Sequence, residues 1–281
     1  MIITNEMIKN FEYELTNAEK SESTIKKYVH DVKMLQYWLD GKIASKELML
    51  EYKKYLKENY APASVNAAIA SLNCFMEMNK EYELRLKALK IQKQIFIDSN
   101  KELTKAEFER LVHTAEHNGD ERLSLIMQTI CSTGIRVSEL KYITVESVNT
   151  GTATIDCKGK IRRVFLPKQL INLLSRYIRK CKLLSGSIFV TKTGKPLDRS
   201  NICKAMKKLC DAANVVRDKV FPHNLRHLFA RVYYTTYKDI VRLSDILGHS
   251  SINTTRIYTM ETGTIHRQQI EGLCIIQRYT T

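Results

Sequence analysis

The sequence predicts a mainly α-helical protein of two domains with one small antiparallel β-sheet, and three observations predict it. Apolar residues recur at alternating three and four steps through most of the chain, the period of one helix face. β-forming residues gather in one place only, T-A-T-I-D-C at 152–157 and the return V-F-L-P at 164–167, with K-G-K between them as a hairpin turn. The third observation is charge. Residues 1–100 hold 15 Lys and Arg against 14 Asp and Glu, while residues 101–281 hold 30 against 16, so +14 of the +15 net charge lies in the second part. A length of 281 residues suits two ordinary domains whose cores need no covalent staples.

In the first hundred residues, Ile25, Tyr28, Val29, Val32, Leu35, Trp38 and Leu39 mark one helix face, with Ser21 or Ser23 as its cap. Further helical runs are predicted over 45–58, over 63–78 after Pro62, and more weakly over 81–93. This part reads as an all-helical module. Q-I-F-I-D-S-N-K-E has no period and reads as a linker, which puts the boundary near residue 100. The second domain opens at Thr104, where Glu107 three residues on completes a capping box ahead of an apolar periodic run. A helix from about 121 stops at Gly134, a residue suited to a left-handed helix end. After the hairpin, helices are predicted over about 168–182, 199–213 and 223–237, with a short run before L-G-H at 247–249.

Composition narrows the function. A basic second half points to a polyanion, and to nucleic acid ahead of a membrane surface, because no basic amphipathic segment carries a run of Trp, Phe or Leu. The first residues carry no basic start with an apolar run, and no stretch approaches the roughly 18 apolar residues of a membrane span. A soluble, cytoplasmic protein is expected. Seven cysteines make no C-x-x-C pair and no zinc-like spacing with His, so they read as reduced thiols and no metal is expected.

Four places concentrate polar groups where packing would not ask for them. Arg136 follows the helix stop with Glu139 three residues on, which reads either as a surface ion pair or as an arginine aimed by its carboxylate at a phosphate. Lys158 sits in the basic hairpin turn with Lys160, Arg162 and Arg163, either a solvated loop or a lysine placed to protonate a leaving oxygen. His223 and Arg226 lie one helical turn apart and share a face; His227 is expected to point elsewhere. His249 follows Gly248, and Tyr258 comes nine residues later on a polar stretch. Taken alone, Tyr258 is one of fourteen tyrosines.

In order, Arg136-x-x-Glu139, the hairpin lysine, His223-x-x-Arg226, Gly248-His249 and Tyr258 resemble the tyrosine recombinase (phage integrase) family, and the wording T-G-I-R-V-S-E-L, H-N-L-R-H and L-G-H-S-S-I-N-T-T-R-I-Y is similar to the family's. The likeness covers nearly the whole chain. It implies a helical, SAM-like core-binding domain over 1–99 and a mostly helical catalytic domain over 100–281, closing on DNA as a C-shaped clamp. It implies a site-specific recombinase without metal or cofactor, working through a 3′-phosphotyrosine intermediate. Carried over by position, Tyr258 is the nucleophile, Arg136 and Arg226 clamp the phosphate, His223 accepts the tyrosine proton, His249 hydrogen-bonds the phosphate and Glu139 supports the site. Lys158 is the general acid, with Lys160 as the alternative because this turn is shorter than the family's G-K-G-x-K-x-R.

The same resemblance implies partners: a double-stranded recombination site, a homotetramer on DNA that is monomeric or weakly associated without it, and an accessory recombinase or directionality factor. The tail from about 260 to 281 is expected to dock in a neighbouring protomer or to pack on its own domain. A simple Xer-like or mobile-element integrase fits the short segment ahead of the first helices, and a nucleoid-associated location follows. The competing readings are a type IB topoisomerase-like enzyme and a non-catalytic DNA-binding regulator. A nucleophile that must reach DNA is expected on a mobile, uncommitted segment rather than in a core.

Overall fold

Four helices build the first of two units, Met1–Lys93 and Gln94–Thr281, of a computed structural model that describes residues 1–91, 99–157, 160–191, 193–249, 251–258 and 270–273. They are α1 (Asn5–Asn17), α2 (Glu22–Leu39), α3 (Lys46–Asn59) and α4 (Pro62–Met78). Ser21 caps α2, its hydroxyl accepting from the Thr24 amide, and Val29, Val32, Leu35 and Leu39 of the predicted face are buried. α1 precedes the predicted helices and contributes Ile8, Phe11 and Leu15, with Phe11 edge-on to Phe75 of α4 at 5.2 Å between centroids. Each such side chain removed from water stabilises the unit by roughly 1.5–3 kcal/mol.

The helix predicted over 81–93 does not form in its described part. Tyr82–Leu84 make one 3-10 turn, and the chain then runs without helix to Ile91. Two asparagines on α4 explain this. Asn73 accepts from the Leu86 amide at 2.7 Å and donates to its carbonyl at 2.8 Å, and Asn66 does the same for Leu89 at 2.7 and 3.0 Å. Their side-chain amides act as a strand edge, satisfying backbone groups that a helix would have paired internally.

The second unit contains α5 (Lys105–His117), α6 (Glu121–Thr133), a 3-10 helix (Val137–Tyr142), α7 (Val145–Thr150), the antiparallel strands β1 (Thr152–Cys157) and β2 (Lys160–Phe165), α8 (Lys168–Lys180), α9 (Arg199–Lys208), α10 (Pro222–Tyr237), α11 (Ile240–Leu247), α12 (Ile252–Thr255) and a 3-10 turn (Arg256–Tyr258). The Thr104/Glu107 capping box is present in both directions. Strand register pairs Thr152 with Phe165 and Cys157 with Lys160. α9 ends five residues before the predicted limit of 213, where the chain folds back through Asn214 at φ +50°. Leu111, Met127, Ile130, Leu174 and Leu225 lie at the centre of the core, and a smaller cluster of Ala230, Leu243, Leu247 and Tyr258 closes one end. Among the described residues no helix is long and apolar enough to cross a membrane.

Gly134 joins this end to α6. Its φ is +67°, and a Cβ there would stand 2.5 Å from Phe229 Cδ1 and 3.0 Å from Leu247 Cδ2, so α10 and α11 approach the end of α6 only because the residue lacks a side chain. Gly134→Ala is therefore expected to cost the second unit about 2–4 kcal/mol, combining left-handed strain with overpacking. The chain's one tryptophan, Trp38, lies in the first unit, so its fluorescence transition should stay put while the circular-dichroism transition of the second unit moves. A second-unit loss below about 1 kcal/mol would contradict this packing.

Candidate active site

Arg226 is the largest fully buried side chain among the described residues, 1% exposed on α10. Its Nη1 donates to the Gly134 carbonyl at 2.5 Å and its Nη2 to the Leu247 carbonyl at 2.8 Å. Both acceptors are carbonyls at helix C-terminal ends, which lack intrahelical partners and carry the negative end of the helix dipole. The guanidinium thereby ties α6, α10 and α11 together. Nε is buried without a hydrogen-bond partner among the described residues. Burial, and then the charge of Arg136, push this guanidinium down to about 10, so it stays cationic at neutral pH but is poorly compensated.

Nη2 of Arg226 also lies 2.9 Å from Nε2 of His249, whose Nδ1 is 2.8 Å from the Thr255 hydroxyl. An arginine has no lone pair to offer, so Nε2 accepts and Nδ1–H donates to Thr255. This assigns a neutral Nδ1–H tautomer. It agrees with a His249 pushed down to about 4 by burial and by Arg226, Arg136 and Arg162.

Glu139, 1% exposed, organises the second arginine. Its Oε1 accepts from Arg136 Nη1 at 3.0 Å and its Oε2 from the Arg136 amide at 2.8 Å, which fixes the residue that starts the 3-10 helix. Arg136 keeps 39% of its side chain exposed, so part of its guanidinium faces out from the buried cluster. The surface-ion-pair reading of this arginine fails, because its carboxylate is interior. Oε2 also accepts from Nη2 of Arg162 at 2.6 Å.

Tyr258 completes the cluster. It is 4% exposed and packs with Ala230, Leu243 and Leu247, so the expected mobile and uncommitted position is corrected: this tyrosine is in a core. The polar letters around it misled because the burial comes from α10 and α11 rather than from neighbours in sequence. Burial raises its pKa, which the positive charge and hydrogen bonding of Arg226 partly oppose. The His227 ring stands edge-on to Tyr258 at 4.9 Å between centroids and to His223 at 4.6 Å, and the His249 ring lies nearly parallel to Tyr258 at 6.2 Å.

His227 was expected to point elsewhere, and its ring contacts both His223 and Tyr258 instead. The signal was available, since residues four apart on a helix share a face as surely as residues three apart. Burial and the neighbouring cations push His227 down to about 4; His223, the most exposed of these rings, is lowered by burial and then by Arg226, Arg199 and Arg136. Arg136, Glu139, His223, Arg226, His249 and Tyr258 are thus brought together, with Arg162, His227 and Thr255 as members the sequence did not single out. Lys158 lies outside the described residues, as does most of the 260–281 tail, and Lys160 heads β2 two residues before Arg162. Among the described residues the cluster sets three guanidiniums against one carboxylate, an arrangement suited to an anion.

A mostly helical chain with one two-stranded sheet is a fold shared with solved DNA recombinases. The structure of XerH site-specific recombinase bound to difH substrate superposes with a TM-score of 0.71 at 20% identity, over 99% of this chain and 86% of that one. A lambda integrase tetramer bound to a Holliday junction gives 0.70 at 17% identity, over 90% and 76%. In sequence, the tyrosine recombinase XerA of Pyrococcus horikoshii is 28% identical over 284 residues, 98% of this chain and 96% of the relative. Residues 101–263 match the phage integrase family, and the chain belongs to that family, the tyrosine recombinases.

The buried imidazoles make stability depend on pH with a definite sign. His227 and His249 bind protons in the folded chain only near pH 4, whereas an unfolded histidine does so near 6.5. Their contribution is whole above pH 6.5 and is lost as pH falls toward 4. Thermal unfolding of the second unit should therefore drop in midpoint across this window more steeply for the native chain than for His227→Phe. Identical pH profiles for the two would contradict the assignment of a buried, neutral His227.

Proposed function

We propose that Tyr258 is the nucleophile of a site-specific DNA strand transfer. The chain is a tyrosine-type recombinase; its family and its XerA and XerH relatives favour this over a topoisomerase-like enzyme or a silent regulator. The observation that carries the catalytic assignment is the contact of the Tyr258 phenol with a buried, undercompensated Arg226 that also holds His249. A phosphodiester is the anion that would supply the missing negative charge beside a hydroxyl.

In the proposed step the Tyr258 oxygen attacks phosphorus, an O–P bond forms, and the bond from phosphorus to the 5′-oxygen breaks. The phosphodiester energy is kept in a 3′-phosphotyrosine link, from which a 5′-hydroxyl of a partner strand later regains the phosphate. Arg226 and the outward part of Arg136 neutralise the nonbridging oxygens, where charge builds in the pentavalent transition state. His223 takes the phenolic proton; it is the most exposed ring of the three, whereas His227 and His249 at about 4 are weak bases. His249 needs a proton on Nε2 to donate to phosphate. The arriving negative charge opposes the arginine fields that, after burial, keep it neutral.

The general acid is assigned to the hairpin turn, Lys158 or Lys160. The unit Met1–Lys93 serves as the core-binding domain, and double-stranded DNA is the substrate on which protomers assemble as a tetramer. The tetrameric lambda integrase on a Holliday junction supports that assembly.

A suicide DNA substrate that traps the covalent intermediate tests the reading. Tyr258→Phe should form no adduct while binding DNA nearly as the native chain does, and an adduct from this variant would overturn the nucleophile. Arg136→Ala and Arg226→Ala should each slow trapping by roughly 10²–10³-fold, the loss typical of one preorganised transition-state donor. Trapping at the native rate by either would remove it from the phosphate site.

A further inference from the structure

Arg162 is one of four cations between residues 158 and 163, with Lys158, Lys160 and Arg163, yet it behaves unlike a surface residue. Its side chain is only 14% exposed. Nη2 donates to Glu139 Oε2 at 2.6 Å, and Nη1 donates to the carbonyl of Ile246. Its aliphatic stem occupies the space beside Gly248: a Cβ on that glycine would stand 2.5 Å from Arg162 Cδ and 2.8 Å from Nε. Gly248 has φ +64°, so the turn into His249 both requires a glycine and leaves room for the arginine to lie across it.

These contacts join three pieces that the sequence keeps far apart. Glu139 receives Arg162 on the same oxygen that fixes the Arg136 amide, so the β2 guanidinium bears on the residue that aims Arg136. At the end of α11, Arg162 takes the Ile246 carbonyl and Arg226 takes the adjacent Leu247 carbonyl. One buried and one largely enclosed guanidinium thus hold consecutive orphan carbonyls immediately before Gly248 and His249. A planar fork can serve a carboxylate and a carbonyl in fixed directions at once; a single ammonium cannot hold both in that geometry. Both terminal nitrogens are engaged within the protein, which sets Arg162 apart from the outward-facing Arg136.

We infer that Arg162 is a positioning residue for strand cleavage: it locks Glu139, and through it Arg136, to the Ile246–His249 turn. This rests on the reading of Arg136 as a phosphate ligand. The role predicts a defect in the chemical step rather than in DNA affinity, because Arg162 touches the residues that aim the phosphate ligands and is itself turned inward.

The test is a double-mutant cycle in single-turnover adduct formation at saturating suicide DNA, with DNA affinity measured in parallel. Arg162→Ala should slow cleavage by roughly 10- to 100-fold, the scale on which small misplacements of catalytic groups act, while leaving the Kd for DNA within about threefold. In an Arg136→Ala background the same change should cost less than about threefold, since the group it positions is gone. Arg162→Lys keeps a charge beside the buried Glu139 and so protects folding, but loses the fork; it should slow cleavage about tenfold. A native rate from folded Arg162→Ala or Arg162→Lys overturns the inference, and so does a defect undiminished in the Arg136→Ala background. If Arg136→Ala alone cleaves at the native rate, the phosphate-ligand reading has failed first, and the two failures are distinguished.

Discussion

A buried guanidinium holding helix-end carbonyls is the interaction on which the rest of this site depends. Arg226 spans from the carbonyl after α6 to the carbonyl that ends α11, and both glycines that border these carbonyls, Gly134 and Gly248, have positive φ. Neither helix could end where it does with a larger residue in place. Once those ends are pinned, His249 has one position beside Arg226, Thr255 sets its tautomer, and Tyr258 fills the space against α10 and α11. Residues from four separate stretches of sequence are held partly by backbone acceptors and partly by one another.

That arrangement carries an electrostatic cost. Arg136 and Arg162 pair with the buried carboxylate of Glu139, Arg226 adds a third positive charge nearby, and Arg226 retains a buried nitrogen without a partner among the described residues. Undercompensated buried charge destabilises a fold and persists where binding of an opposite charge relieves it. Burial, and then the same field, keeps the neighbouring imidazoles neutral, and the field draws the Tyr258 phenol, raised by burial, part of the way back. A phosphate entering this cluster would offset the charge of the cations that surround the histidines and Tyr258.

Local signals were legible in the sequence and long-range ones were not. The Ser21 and Thr104 caps, the hairpin strands and the Gly134 stop each depend on residues within a few positions, and each forms as the chemistry of caps, turns and glycine dictates. The failed helix beyond Glu81 depends on Asn66 and Asn73, whose reach to Leu89 and Leu86 no periodicity can report. Arg162 was hidden for a related reason: among adjacent cations, the one that turns inward is chosen by a carboxylate 23 residues away. Tyr258 read as exposed because its immediate neighbours are polar, while its packing partners lie on α10 and α11. His227 was a different kind of miss, since the four-residue spacing from His223 was in plain view.

Locating the covalent bond tests the central claim most directly. DNA trapped on the native protein, digested with nuclease and trypsin and analysed by fragment-ion mass spectrometry, should leave its nucleotide remnant on Tyr258, within the peptide that begins at Ile257 after the Arg256 cleavage point. A remnant on any other residue would contradict the account.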